Sequence, residues 1–149
     1  MDIYRISPCI HNADLTGSGA AIHGGRWNSK GIHILYTASS ASLALLETVV
    51  HLSGIPVKDY CIALLRIPDD NIFELNEAVL PSNWATYPAP NSLKAIGDQF
   101  IRDNKYLAIR VPSSILAIEH NVLINPNHGD FKKVKLVSSK KMSIDERLV

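Results

Sequence analysis

The sequence has no excess of charge of either sign. Fifteen Lys and Arg stand against fourteen Asp and Glu, a formal net charge of +1 over 149 residues. That excludes the broad basic footprint of a general nucleic-acid binder. The one basic cluster, "FKKVKLVSSKKM" near the end, reads as an edge strand guarded by lysines. Cysteine is scarce. Cys9 and Cys61 are the only two, without metal-ligand spacing, and read as free thiols in a reducing cytosol. The opening "MDIYRISPC" lacks the charged and apolar regions of a signal peptide. No apolar run approaches the ~20 residues that span a bilayer. The expectation is a soluble cytoplasmic protein.

Several chemical signatures are missing too. There is no GxxxxGK[ST] phosphate loop, no GxGxxG dinucleotide fingerprint and no HExxH zinc pair among the six histidines. A GxSxG nucleophile elbow is also absent. No metal site and no bound cofactor are expected.

What is present is an ordinary globular composition, 46% apolar and 19% charged. It is enough for one domain, residues 1–149, with a core that needs no staples. "MDIYRIS" reads as a first strand. "HNADLTGSGAAIHGGRWNSKG" reads as a long Gly-rich loop, a kind that is usually functional. "IHILYT" alternates as a strand. "SSASLALLETVVHLSG" reads as a helix capped by Ser39 or Ser40 and ended by Gly54. "DYCIALLRIP" and "NIFEL" follow as strands. Pro81, Pro88 and Pro90, with Trp84 and Tyr87 among them, mark an irregular ordered loop. "NSLKAIGDQFIRDNK" is an amphipathic helix with Leu93, Ile96, Phe100 and Ile101 on one side. "YLAIRVPSS", "ILAIEHNVLINP" and "FKKVKLV" complete the strands. Runs of strands with two helices give an α+β class with a mostly antiparallel sheet.

Some residues are hard to place as structure alone. The helix after "ILYT" is apolar almost all round, so it should be buried on more than one side. Glu47 is its only acid, with no wide polar face to reach water. Buried carboxylates are rare unless paired or functional. The plainer alternatives are an exposed edge or a pairing with His51. Arg26 follows Gly24 and Gly25, which permit a close approach of ligand to backbone. It could fork onto a phosphate or carboxylate, or simply point to solvent from a turn. Tyr36, at the strand end, could stack on a base or sit in the core. Ser113 and Ser114 after Pro112 read first as turn serines.

Taken in order, "GGRWNSKG", "ILYTASSASLALLE", "VPSS" and "EHNVLINP" resemble the RES domain, named for an arginine, a glutamate and a serine. The resemblance runs from "YRIS" to "DERL" and is loosest from about residue 55 to 90. On it, the family's arginine falls on Arg26, its strand tyrosine on Tyr36, its glutamate on Glu47 and its serine on Ser113. Asn121 lies in the block that would line the same pocket. The resemblance implies a fold similar to ADP-ribosyltransferases of the diphtheria-toxin type. It implies a toxin of a toxin–antitoxin pair that degrades NAD, with water or inorganic phosphate as acceptor. NAD is then a substrate and not a cofactor. Arg26, Glu47 and Ser113 would be catalytic; Arg26, Tyr36, Ser113 and Asn121 would bind substrate. Glu47 would stabilise the ribose cation, Tyr36 would stack on nicotinamide, and Ser113 would bond the nicotinamide amide or the ribose. The implied partner is an Xre-like antitoxin whose terminal segment blocks the pocket near Arg26. Binding to DNA would come only through that partner, and a homodimer within the complex is one arrangement allowed. Two other readings compete: an ADP-ribosyltransferase acting on a protein, and a silent module that only holds an Xre-like partner.

Overall fold

A computed structural model describes all residues except 53, 56 and 57. Among the described residues seven strands form one sheet: β1 (Asp2–Pro8), β2 (Leu35–Ala38), β3 (Tyr60–Arg66), β4 (Ile72–Glu74), β5 (Ala108–Pro112), β6 (His120–Ile124) and β7 (Lys135–Met142). Their order is β4-β5-β6-β2-β1-β3-β7. Only β4 and β5 run parallel; the other neighbours are antiparallel. The class is α+β, as the run of strands implies. β7 is an edge strand carrying Lys135, Lys140 and Lys141, so the lysine-guarded edge is where the sequence places it.

Both faces of the sheet are covered, and the strand period of two sorts residues between them. Leu35, Leu65, Ala108, Val122 and Ile124 pack on one face. Ile109, Val111 and Leu123, with Ile34, pack on the other against Trp27, Leu93 and Phe100. The helix α4 (Asn91–Asp103) supplies Leu93 and Phe100. The helix α3 (Ala41–Val49) also packs on the sheet, with Leu43 and Ala44 against Ala38, Tyr4 and Ile6. Burying a leucine such as Leu43 contributes about 1.5–3 kcal/mol.

Five expectations need correction. The segment read as one long loop holds two short helices, α1 (Cys9–Asn12) and α2 (Ser18–His23). α3 begins after Ser40, whose hydroxyl accepts from Leu43 N at 3.0 Å, and it ends at Val49, short of Gly54. The last part of that expected helix includes Ser53, outside the described residues. α3 is not buried on several sides either: Leu46 is exposed, as is Val50 at its C-terminal end. β6 starts at His120, because residues 113–119 turn back to hold Ser113. β7 likewise starts only at Lys135, since Gly129–Lys133 form a 3-10 turn.

The cysteines are also not free. Cys9 and Cys61 form a disulfide, their Cα atoms 4.8 Å apart. The register explains this. Ser7 and Pro8 end β1 opposite Cys61 and Tyr60 at the start of β3, so the residue after β1 meets Cys61. The argument from free thiols to a reducing compartment therefore falls. Among the described residues, no helix is long and apolar enough to cross a membrane.

Candidate functional site

The site lies on the sheet face that α3 and α4 cover. In the antiparallel registers, Asn121 pairs with Ala38 on one side and Val111 on the other. Ser113 follows Val111 by two residues, and Tyr36 precedes Ala38 by two. Tyr36, Ser113 and Asn121 thus point to one face by the strand period, and α3 carries Glu47 over it.

Glu47 is held by two side chains. Ser113 Oγ donates to Glu47 Oε1 at 2.8 Å, and Asn121 Nδ2 donates to the same oxygen at 2.7 Å. His51 is not among its described partners. Ser113 is fully buried, and its hydroxyl also accepts from Ile115 N and Leu116 N, both at 3.1 Å. One proton given and two lone pairs taken fill that hydroxyl's capacity. Its rotor is locked, which aims the donated proton at Glu47. Ser40 supports the same corner by donating to Glu119 Oε2 at 3.0 Å, while Glu119 O accepts from Ser113 N.

Arg26 sits at the tip of a tight turn. Gly25 N donates to Asn28 O at 3.0 Å, closing the turn with Arg26 and Trp27 between them. Gly24 has φ +70, a left-handed conformation that glycine adopts at no cost. A Cβ on Gly25 would fall 2.6 Å from the Tyr36 hydroxyl oxygen and 2.9 Å from Asn28 Oδ1. The glycine pair therefore buys two things: the bend that projects Arg26, and room for Tyr36 to brace it.

That bracing is extensive. Tyr36 Oη accepts from Trp27 N at 3.0 Å and donates to Asn28 Oδ1 at 2.7 Å. Asn28 is fully buried and its amide donates to the carbonyls of Ala20, Ser29 and Ile32. Ser29 donates through its N–H and its hydroxyl to Asp98 on α4, at 2.8 and 2.6 Å. Trp27 is buried in the core, and a Cβ on Gly97 would overlap its carbonyl. Burial pushes the Tyr36 phenol well above its usual pKa, so it stays protonated and able to donate.

The Arg26 guanidinium reaches away from this turn. Its Nη1 donates to Trp84 O at 2.8 Å and to Thr86 O at 3.1 Å. Partial burial lowers its pKa, and the charge of Glu47 opposes that shift. The arginine and the glutamate thus lie within electrostatic reach of each other. The five residues singled out in the sequence are gathered into two adjoining groups: Glu47, Ser113 and Asn121 in one, Arg26 and Tyr36 in the other.

Sequence reasoning missed Asn28, Asp98 and the two carbonyls on Arg26. Asp98 had a signal. Gly97 lies on the apolar side of α4, four residues after Leu93 and three before Phe100. A glycine there marks a close backbone approach.

Comparison with known proteins decides the family. A family model described as the RES domain matches residues 2–145. The chain belongs to the RES domain family. This RES domain is 40% identical over 141 residues to the Prs ADP-ribosylating toxin of a Sphingobium species, covering 91% of this chain and 87% of that one. It is 39% identical over 134 residues to a Toxin Res of Yersinia enterocolitica, covering 89% and 88%. In fold it is similar to a chain of the crystal structure of the M. tuberculosis MbcT–MbcA toxin–antitoxin complex. The TM-score is 0.77 at 21% identity, over 95% of this chain and 84% of that one.

Proposed function

We propose that this RES domain is the toxin of a toxin–antitoxin pair and acts by cleaving the nicotinamide–ribose bond of NAD. The observation that carries the reading is Glu47, a carboxylate fixed by Ser113 and Asn121 within the field of Arg26. When the C–N bond breaks, its electron pair leaves with neutral nicotinamide and positive charge develops on the ribose. A fixed anion stabilises that charge without reorganising, which is where electrostatic catalysis is most effective. Glu47 fits the role. Water attacking the ribose carbon gives ADP-ribose and a proton; inorganic phosphate gives the ribose-phosphate instead.

Each neighbour then has a task. Ser113 and Asn121 hold the carboxylate in place, with Ser113 spent on that task rather than on chemistry. Arg26 keeps donors beyond the two carbonyls it touches, and these pair with the substrate's diphosphate. Tyr36 braces the arginine turn and offers its half-buried ring as a wall for nicotinamide. The partner is an Xre-like antitoxin whose terminal segment fills the cleft beside Arg26.

A second reading has a specific observation in its favour, the relative named for ADP-ribosylation. It uses the same bond cleavage, with a protein side chain as acceptor. Product analysis separates the readings. NAD is incubated with the protein, with and without phosphate, and the ADP-ribose species are identified by mass spectrometry. Free ADP-ribose or its phosphate supports cleavage of NAD alone. Conversion seen only when a host protein is added, with mass gained on that protein, supports transfer. No nicotinamide release under any condition overturns both and leaves a module that only binds its partner.

A further inference from the structure

The segment from Pro81 to Pro90 is unusual in what it does with its backbone. Two of its carbonyls, Trp84 O and Thr86 O, are given to one guanidinium nitrogen of Arg26. The segment has its own supports. Trp84 N donates to Pro81 O at 3.0 Å, Thr86 N to Asn83 O at 3.1 Å, and Thr86 Oγ1 to Asn83 O at 2.9 Å. The Trp84 and Ala89 side chains pack on the core cluster around Trp27 and Phe100. A braced loop is therefore docked directly on the arginine.

Tyr87 is the next residue after Thr86, and it is 86% exposed. Among the described residues only one other aromatic is exposed, Phe73, which is stacked on Tyr106 at 5.2 Å. Tyr36 is already placed at the nicotinamide end, with its hydroxyl tied into the turn. Tyr87 is thus the one open aromatic face tethered to Arg26. The charge of Glu47 acts on Arg26, Arg26 bonds the Trp84 and Thr86 carbonyls, and Tyr87 follows Thr86, which gives the order Glu47, Arg26, Tyr87. A dinucleotide laid along that order puts its reacting ribose at Glu47, its diphosphate at Arg26 and its far base beyond Arg26.

We propose that Tyr87 is the stacking platform for the adenine base, held in place by the hook of Arg26 onto the Trp84 and Thr86 carbonyls. This rests on the NAD reading of the site. It goes beyond that reading by assigning the purine end to a loop that the RES resemblance matches only loosely. Purine selectivity then resides in residues 81–90, and the nicotinamide end resides in the sheet and α3.

The test is binding of two fragments, ADP and nicotinamide mononucleotide, by calorimetry. It compares wild type, Tyr87→Ala and Tyr87→Phe. Exposure at position 87 makes a folding defect in either variant unexpected, and thermal melting checks it. Tyr87→Ala should bind ADP about tenfold more weakly, towards the low end of what losing one aromatic face from a stacked base costs. It should bind nicotinamide mononucleotide as wild type does. Tyr87→Phe should restore ADP binding, because the ring is kept. Unchanged ADP affinity in Tyr87→Ala overturns the proposal. So does an equal loss for both fragments, which would make the residue a support for Arg26. Turnover of NAD by the same wild-type sample keeps the two claims apart. Turnover without ADP discrimination removes Tyr87 alone. ADP discrimination without turnover removes the cleavage reading and leaves the purine platform standing.

Discussion

Glu47 is held by side chains at the end of β5 and on β6, whereas Arg26 is held by backbone carbonyls of a loop and stands on a turn clamped by Tyr36, Asn28 and Asp98. Ser113 and Asn121 reach Glu47 from β5's end and from β6, and both bonds are short. Arg26 takes Trp84 O and Thr86 O, 58 and 60 residues away. Its turn depends on Tyr36, Asn28 and Asp98. The difference suits the two tasks proposed for these residues. A carboxylate that stabilises a developing cation must not move, so a locked serine and amide suit it. An arginine that meets a diphosphate must keep donors open, and two neutral carbonyls orient it without cancelling its charge.

The largest expected effect is on the rigid side. Glu47→Gln keeps the shape and an acceptor oxygen for Ser113 and Asn121, and removes only the anion. Its kcat for NAD cleavage should fall by about 10²–10³, with melting temperature little changed. A folded variant that turns over NAD at the wild-type rate would break the comparison at once.

Ser113→Ala comes next. It leaves Glu47 with Asn121 alone, and leaves the Ile115 and Leu116 N–H groups without their acceptor. Stability should fall by about 1–3 kcal/mol, the cost of buried groups left unsatisfied. Turnover should fall by less than in Glu47→Gln, and mainly in kcat. Loss of activity equal to that of Glu47→Gln would instead place Ser113 in the chemistry itself.

The smallest effect is on the arginine's clamp. Asp98→Ala removes the acceptor for Ser29 N and Oγ, far from Glu47 in the chain. It should cost about 1–3 kcal/mol in urea unfolding and raise KM for NAD while sparing kcat. A fall in kcat with KM unchanged would show that the two halves are not separate.

The two halves also differed in how well the sequence revealed them. Glu47 stood out because it was a lone acid on an apolar helix. Asn121 lies on a strand and Ser113 directly after one, where the alternation could be read, and the RES resemblance marked both. The partners of Arg26 left little trace. A backbone carbonyl has no residue signature, so Trp84 and Thr86 could not be picked out. Asp98 looked like one more polar residue on an amphipathic helix, although Gly97 beside it marked a close approach. The same limit explains the cysteines. Cys9 and Cys61 are 52 residues apart and meet only through the β1–β3 register, which local patterns do not encode. α3 misled in the opposite direction, since an apolar helix with Leu46 exposed, and Val50 exposed at its C-terminal end, reads as buried on more than one side.

The central claim is that Glu47 serves the reaction and Arg26 serves binding. It is tested most directly by titrating NAD, in a calorimeter, into Glu47→Gln and into the same protein carrying Arg26→Lys as well. The first should bind NAD with an affinity close to the wild-type KM although it barely turns it over. The second should bind about tenfold more weakly, because lysine offers a point charge and no planar fork. Failure of Glu47→Gln to bind NAD, or undiminished binding after Arg26→Lys, would contradict the division.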